Sequence, residues 1–190
     1  MAGRKRVGVL ALQGDFEAHR RALERVGAEA VEVRSAGELE GVQGLIIPGG
    51  ESTTMVKLLE EEKLLDPLRD FGRRRPIFGT CAGAILLATE VANSPQASLG
   101  LMDIEVERNA YGRQLDSRIA RLHPRGMDGG LEAVFIRAPM IRRVGADAKV
   151  LATYEGNPVL VEQGLHLAAT FHPELTDDPR VHLIFLQKIP

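Results

Sequence analysis

A strand-like segment, a cysteine between two glycines and a helix-like segment follow one another at residues 76–88, and this order constrains the fold more than any other stretch. Pro76-Ile77-Phe78 is apolar and short enough for a strand, whereas the run Ala84–Ala88 favours a helix. The segment between them, Gly79-Thr80-Cys81-Ala82-Gly83, matches the sharp strand–turn–helix connection on which hydrolases often carry a nucleophilic Ser, with Cys81 in its place. The flanking glycines permit the tight turn and a close approach of the backbone.

Cys81 is the only cysteine in the chain, so two roles have to be weighed for it. A lone cysteine is often a buried packing residue. At a helix N-terminus, however, the partial positive charge favours the thiolate, which is the nucleophilic form. The flanking glycines and the residues downstream favour the nucleophile. A single cysteine also excludes an intramolecular disulfide, and a free thiol fits a reducing compartment, so we expect a cytoplasmic protein.

Composition excludes several classes of protein. The chain has 190 residues, of which 44% are hydrophobic and 26% charged, as in an ordinary globular protein, and we expect residues 1–190 to form one domain. A net charge of −2 gives no electrostatic reason to bind nucleic acid or an anionic membrane. The apolar run after Arg4-Lys5-Arg6 is too short for a signal peptide, and no run reaches transmembrane length.

The first half of the chain alternates between strand and helix patterns. Short apolar runs that are typical of buried parallel strands occur at Val7–Leu12, Val31–Val33 and Gly44–Pro48. Between the first two, Asp15 is expected to cap a helix with an apolar stripe of Phe16, His19, Leu23 and Val26. This alternation predicts an α/β fold around a mainly parallel sheet.

The second half predicts short strands that add to this sheet in antiparallel orientation. Strand patterns occur at 103–108, 119–123, 133–137, 149–154, 159–163 and 166–171. The run Val181–Leu186 predicts a closing helix. We expect no second domain.

The loop Pro48-Gly49-Gly50-Glu51-Ser52-Thr53-Thr54 follows a predicted strand and precedes a helix, for which Ser52 or Thr53 is the expected cap. Ligands of open α/β sheets bind at the carboxyl ends of strands, where a Gly-Gly turn exposes backbone N–H groups. An ordinary turn is the alternative interpretation. The loop lacks the glycine–lysine spacing of a phosphate-binding P-loop.

His172-Pro173-Glu174 supplies the groups that a cysteine nucleophile needs. In an extended segment, which Pro173 favours, side chains two residues apart point to the same side, so His172 and Glu174 are expected to converge. A cysteine requires a base, and the base requires a carboxylate that orients it. Cys81, His172 and Glu174 fill these three roles. Taken without the cysteine turn, His172 would be an ordinary loop histidine.

The remaining histidines carry no comparable pattern. His19 lies on the apolar helix stripe and is expected to be packed or at an interface, and His123, His166 and His182 have no carboxylate or cysteine at motif spacing. No pair has metal-ligand spacing, so we expect neither a metal nor a cofactor.

Together, the Gly-Thr-Cys-Ala-Gly, Pro-Gly-Gly-Glu-Ser-Thr-Thr-Met and His-Pro-Glu-Leu motifs resemble those of class I, triad-type glutamine amidotransferases. The chain is most similar to the glutaminase subunits of pyridoxal 5′-phosphate synthases. Leu12-Gln13-Gly14 with His19, 106–109 with 111–114, and 135–139 strengthen this likeness, which covers nearly the whole chain. The resemblance implies a three-layer α/β/α, flavodoxin-like fold.

The resemblance also implies a reaction and a set of residues. Cys81 would attack the side-chain amide of L-glutamine and form a glutamyl thioester, with His172 as base and then acid and Glu174 as its orienter. The oxyanion hole would be formed by Ala82, Gly49 and Gly50, with Gln13 beside it. Glutamine would be bound at positions matching the family's, namely Gly50, Glu51, Ser52, Arg108, Ile136 and Arg137. A guanidinium suits the α-carboxylate of an amino acid.

The family further implies a partner, a barrel-shaped synthase subunit that receives ammonia through an internal channel and builds pyridoxal 5′-phosphate, the active form of vitamin B6. Such glutaminases are weakly active until they dock. Three alternatives remain: an amidotransferase serving another synthase, a stand-alone cysteine hydrolase of γ-glutamyl compounds, and a catalytically silent binding subunit.

Overall fold

A computed structural model describes residues 3–110 and 117–190. The stretch Tyr111–Gln114, on which part of the family resemblance depends, lies outside these residues. The strands are β1 (Arg6–Leu10), β2 (Glu29–Val33), β3 (Gly44–Ile47), β4 (Ile77–Thr80), β5 (Ala88–Ala92), β6 (Met102–Glu107), β7 (Arg118–Leu122), β8 (Leu131–Phe135), β9 (Met140–Val144), β10 (Lys149–Tyr154), β11 (Asn157–Gln163) and β12 (His166–Ala169). The helices are α1 (Phe16–Arg25), α2 (Ala36–Leu39), α3 (Ser52–Glu61), α4 (Leu65–Gly72), α5 (Ala82–Leu87) and α6 (Arg180–Gln187), and Pro173–Leu175 is a 3₁₀ turn.

Seven strands form the central sheet in the order β10-β11-β12-β4-β3-β1-β2. The five from β12 to β2 are parallel, whereas β11 and β10 pair antiparallel on one side. Both the mainly parallel sheet and its antiparallel extension are therefore confirmed. Read along the chain, the parallel strands have the order 2-1-3-4-5, which is the flavodoxin-like arrangement.

Side chains of the central strands alternate between two apolar layers. On one face Val9, Ile46 and Phe78 pack with residues of α1 and α6, such as Leu23 and Phe185. On the other face the neighbouring strand positions pack with residues of α3, α4 and α5; the buried set there includes Leu45, Ile47, Ile77, Met55, Leu59, Leu68 and Leu86. Because successive strand residues point to opposite faces, continuous apolar runs fill both layers at once. The resulting α/β/α arrangement confirms the predicted fold class.

Two helix caps differ from the predictions. Asp15 stands at the N-terminal boundary of α1, but its side chain makes no capping hydrogen bond. Helix α3 is capped neither by Ser52 nor by Thr53, because the Glu51 carboxylate accepts hydrogen bonds from the backbone N–H groups of Thr53 and Thr54. A carboxylate suits this place, since it satisfies orphan N–H groups and faces the positive end of the helix dipole.

Several strands of the second half do not join the central sheet, contrary to prediction. β5, β6 and β9 form a three-stranded sheet, and β7 pairs only with β8. Strands β5 and β9 and the single-turn helix α2 were not predicted, and α5 ends at Leu87 because Ala88 begins β5. The small sheets lie against the same apolar layers, since Ile104 and Val106 belong to the layer of α5, and Ala133 and Phe135 to that of α6. Within the described residues, no helix has the length and apolar character needed to cross a bilayer.

Candidate active site

Cys81 occupies a strained turn between β4 and α5. Its φ of 50° and ψ of −106° lie outside the regions that a residue with a side chain ordinarily adopts. The Cys81 N–H donates to the Ala169 carbonyl at 2.8 Å, which ties the turn to the end of β12. A Cβ on Gly79 would overlap the backbone of Gly83, and a Cβ on Gly83 would overlap the Ile47 carbonyl. The two glycines of the motif are thus required by close backbone approach, as the sequence predicts.

His172 and Glu174 follow β12 at the same edge of the sheet. The His172 N–H donates to the Val134 carbonyl at 2.8 Å, and the His172 Nδ1 lies 2.7 Å from Glu174 Oε1. The predicted extended geometry is wrong, because Pro173–Leu175 forms a 3₁₀ turn. Proline fits the first position of such a turn, and the turn brings the ring and the carboxylate together.

The electrostatic environment favours the charged form of the pair. Burial alone would lower the pKa of His172, but hydrogen bonding to Cys81 and to Glu174 raises that pKa to about 10. Burial would raise the pKa of Glu174, yet the neighbouring His19 and the hydrogen bond with His172 hold it below its ordinary value. His172 is therefore protonated near neutral pH, with its Nδ1–H directed at an ionised Glu174.

The glycine loop after β3 packs directly against these residues. Gly49 lies so close to His172 that an added Cβ would stand 2.6 Å from the ring Cε1. Gly50 has a φ of 146°, which a side chain would disfavour, and it lies against the Gln13 amide. Gln13 Oε1 accepts the Glu51 N–H at 3.3 Å, and its Nε2 is buried without a hydrogen-bond partner. The structure places Gln13 beside the loop.

A cavity of about 350 Å³ opens at this edge of the sheet. Its walls comprise residues of the Cys81 turn and α5, the glycine loop, the segments after β6 and β8, and the ends of the loops after β1 and β12, namely Asp15, Gly49, Gly50, Glu51, Ser52, Cys81, Ala82, Ile85, Arg108, Asn109, Ile136, Arg137, Pro139, His172 and Leu175. Of the residues predicted for the site, Glu174 and Gln13 are outside this lining. Glu174 lies behind His172, where an orienting group belongs. All the others contribute to the cavity wall.

Three polar side chains of the wall, those of Arg108, Ser52 and Glu51, have partners. Arg108 donates to Ser94 Oγ at 2.8 Å and lies 3.4 Å from Glu51 Oε1. The Ser52 hydroxyl donates to Gln96 Oε1 at 3.0 Å. Partial burial would raise the pKa of Glu51, but hydrogen bonds from Thr53 and Thr54 lower it to about 2. The wall thus combines a fixed carboxylate with an adjacent guanidinium.

A cluster of buried polar groups behind Glu174 was not predicted as part of the site. His19 lies 3.4 Å from Glu174 Oε2, 3.1 Å from Thr80 Oγ1 and 3.1 Å from His182. The expectation that His19 is packed is confirmed, since its side chain is fully buried. The sequence carries no signal for its proximity to Glu174, because the two residues are far apart along the chain. Among the described residues no cluster of three or more His, Cys, Asp or Glu side chains could hold a metal ion.

Comparison with known proteins identifies close relatives. Residues 9–190 match the family described as the SNO glutamine amidotransferase family. The pyridoxal 5′-phosphate synthase subunit PdxT of Solibacter usitatus is 62% identical over 191 residues, which cover 97% of this chain and 100% of the relative. The protein of the same name from Deinococcus radiodurans is 55% identical and covers 95% of each chain. A crystal structure described as a glutamine amidotransferase is 52% identical, with a TM-score of 0.91 over 96% of this chain and 98% of that one.

Proposed function

The chain belongs to the SNO glutamine amidotransferase family, and we propose that it hydrolyses L-glutamine to L-glutamate and ammonia as the glutaminase subunit of a pyridoxal 5′-phosphate synthase. One observation carries the proposal: the 2.7 Å pairing of His172 with Glu174, next to the strained Cys81, in a single cavity. The relatives that are 62% and 55% identical bear the name of that synthase subunit.

The arrangement supports a two-step reaction through a thioester. The raised pKa of His172 makes its ring the proton carrier of the reaction. The Cys81 sulfur attacks the side-chain amide carbon, and His172 gives its proton to the departing ammonia. His172 then takes a proton from water, which attacks the glutamyl thioester and releases glutamate. Glu174 keeps the His172 Nδ1–H fixed throughout.

The tetrahedral intermediate requires donors for its oxyanion. We assign this role to the backbone N–H of Ala82, which begins α5, and to the Gly49–Gly50 segment, with Gln13 beside it. Each such donor contributes about 3–4 kcal/mol to transition-state stabilisation in comparable enzymes. Gln13 Nε2 is buried against Gly50 and has no hydrogen-bond partner, so it supplies a free donor beside this loop.

Glutamine recognition is assigned to the cavity wall. Arg108 and Arg137 offer guanidinium groups to the α-carboxylate, and Ile136 supplies apolar surface, while Gly50, Glu51 and Ser52 form the part of the wall that belongs to the glycine loop. The contact between Arg108 and Glu51 keeps the guanidinium inside the cavity before substrate enters.

We further propose that residues 1–190 act as one domain in the cytoplasm and dock onto a barrel-shaped synthase subunit, which takes up ammonia through an internal channel. The two apolar layers that span the chain support the first statement. A free, buried Cys81 thiol fits a reducing compartment. A glutaminase that is slow until docked avoids hydrolysing glutamine without an acceptor.

The direct test measures ammonia release from glutamine by the chain alone and with the synthase subunit of a close relative. We expect low activity alone and a strong rise in the complex. Cys81→Ala should abolish both, whereas Cys81→Ser, which keeps a weaker nucleophile of similar size, should retain at most a trace.

Two results would overturn the proposal. Full turnover without the partner would favour a stand-alone γ-glutamyl hydrolase, and turnover that survives Cys81→Ala would exclude the thioester route. Stimulation only by the synthase of another pathway would retain the glutaminase and reject its assignment to pyridoxal phosphate synthesis.

A further inference from the structure

The second carboxylate oxygen of Glu174 is the unexplained group of the site. Its first oxygen, Oε1, pairs with His172 at 2.7 Å. Oε2 is buried and makes no hydrogen bond, although His19 Nε2 lies 3.4 Å away without hydrogen-bond alignment. An ionised carboxylate with an unpaired buried oxygen is unfavourable, so Oε2 needs a donor for the pair with His172 to persist.

His19 is held in place by residues of two other elements, β4 and α6. Its ring is fully buried on α1, with Nε2 also 3.1 Å from the hydroxyl of Thr80 at the end of β4. On its far side, Nδ1 lies 3.1 Å from Nε2 of His182 on α6. Phe78 packs edge-on against both imidazole rings, with ring centroids 6.3 and 5.9 Å away. The ring therefore has little freedom to turn away from Glu174.

Protonation of this cluster can be deduced from its partners. Burial lowers the pKa of His19 and so favours the neutral ring with one N–H, while the nearby Glu174 opposes this shift. If that N–H is on Nδ1, it donates to His182, whose Nδ1–H is then buried without an acceptor. A lone pair on His19 Nε2 would then face Glu174 Oε2, which stays unpaired. This tautomer leaves two buried polar groups unsatisfied.

The other tautomer places a donor before Glu174 Oε2 and leaves neither imidazole with a buried N–H that lacks an acceptor. With the proton on Nε2, His19 faces both Thr80 Oγ1 and Glu174 Oε2 as a donor. His182 then donates from its Nε2 to His19 Nδ1, and the His182 Nδ1 that lacks a partner carries no proton. Since unsatisfied buried groups each carry a desolvation penalty, this second arrangement is preferred.

We propose that His19 is a positioning residue that directs its Nε2–H at Glu174 Oε2, with His182 and Thr80 holding it in that tautomer. The carboxylate is then restrained at both oxygens and cannot rotate away from His172. The inference extends the proposed function, because it assigns a second orienting group to the same Cys81–His172–Glu174 site. His19 touches neither substrate nor sulfur and acts only through Glu174.

A matched pair of variants separates donation from packing. His19→Gln keeps an N–H donor at nearly the position of Nε2, whereas His19→Met has a similar size and no donor. In the complex with the synthase subunit, we expect kcat to fall about tenfold or more in His19→Met and less than about threefold in His19→Gln, with KM within about twofold in both. The exposed His123→Gln serves as the control. Equal kcat values in the Met and Gln variants would overturn the proposal, as would a loss seen mainly in KM.

A spectroscopic measurement on the unaltered protein does not depend on activity or on the folding of any variant. In protein labelled with ¹⁵N-histidine, the ¹⁵N shifts should show His19 protonated at Nε2 and unprotonated at Nδ1. A His19 ring protonated at Nδ1 overturns the inference. If the wild-type complex releases no ammonia while this tautomer is found, the glutaminase proposal fails and the placement of the His19 N–H stands.

Discussion

His166 and His172 lie at opposite ends of β12, and their pKa values are shifted in opposite directions. His166 begins β12 and His172 follows its end, and each is 7% exposed. Burial, helped by the positive charge of Lys188, lowers the pKa of His166 to about 4, although backbone contacts with Gly72 and Ile77 oppose the shift. At His172, Cys81 and Glu174 outweigh the same desolvation and raise the pKa to about 10. Partners, rather than depth, decide which histidine is charged.

The difference follows the polarity of a parallel sheet. The carboxyl ends of β1, β3, β4 and β12 meet at one edge, where they deliver Gln13, Gly49, Cys81 and His172 in succession. At the amino end of β12, His166 Nδ1 accepts the backbone N–H of Ile77. The carboxyl edge therefore concentrates the groups of the candidate site.

The largest expected effect comes from exchanging each histidine for asparagine. His172→Asn should lower kcat of the complex by about 10³-fold or more, because the proton carrier is lost. His166→Asn should leave kcat within about twofold, since its Oδ1 still accepts the Ile77 N–H. Steady-state ammonia release measures both. Similar losses in the two variants would remove the functional distinction between the strand ends.

For stability in acid, in contrast to kcat, His166 should matter more than His172. A buried neutral histidine with a folded pKa of about 4 stabilises the protein fully above the unfolded pKa of about 6.5, and this stability is lost as pH falls from 6.5 towards 4. Between pH 7 and pH 5 the expected loss from His166 is about 2 kcal/mol. His172 has the reverse sign, because its raised pKa gives stability below 6.5 that is lost as pH rises through about 10.

Urea denaturation at pH 7 and pH 5 tests the loss of stability that is expected from His166. The free energy of unfolding of His166→Asn should decline less between pH 7 and pH 5 than that of the wild type, by about 2 kcal/mol. His123→Asn, at an exposed position, should follow the wild type. If the free energy of unfolding of His166→Asn declines as much between pH 7 and pH 5 as that of the wild type, burial does not hold His166 neutral.

The smallest expected effect concerns Glu51, whose pKa is again set by its hydrogen-bond partners more than by its exposure. Its side chain is 53% exposed, yet hydrogen bonds from Thr53 and Thr54 keep it ionised down to a pH of about 2. Glu51→Ala should remove the cap of α3 and lower the free energy of unfolding by about 1 kcal/mol at neutral pH. Glu60→Ala, on the same helix, should change it much less. Equal effects in thermal or urea denaturation would contradict the capping role.

Local patterns predicted the parts of the molecule that depend on local physics. Apolar runs identified β1, β3 and β4 because strands that are covered on both faces are apolar at successive positions. The glycines around Cys81 and the His172-Pro173-Glu174 motif placed the candidate site at the carboxyl edge of the sheet. The glutamine-binding assignments came from family resemblance, since an arginine pattern alone does not distinguish a ligand contact from a surface ion pair.

The remaining features depend on contacts between distant segments. β5 and β9 are short and partly exposed, and their pairing with β6 is decided by tertiary packing. The Glu51 cap competes with Ser52 and Thr53, which are equally suitable by residue type. His19 reaches Glu174 only after α1 has packed on the sheet, so no spacing rule could pair them.

The single thiol has a practical consequence. Cys81 is the only sulfhydryl among 190 residues, and it is 8% exposed at the wall of the cavity. Every equivalent of a thiol reagent that the folded protein consumes is therefore consumed at this one sulfur. If glutamine binds in the cavity or a partner covers its mouth as proposed, the rate of that consumption should change. The rate at which Cys81 reacts with a thiol reagent therefore reports whether the cavity is occupied. The measurement needs no added label, and no second cysteine has to be removed.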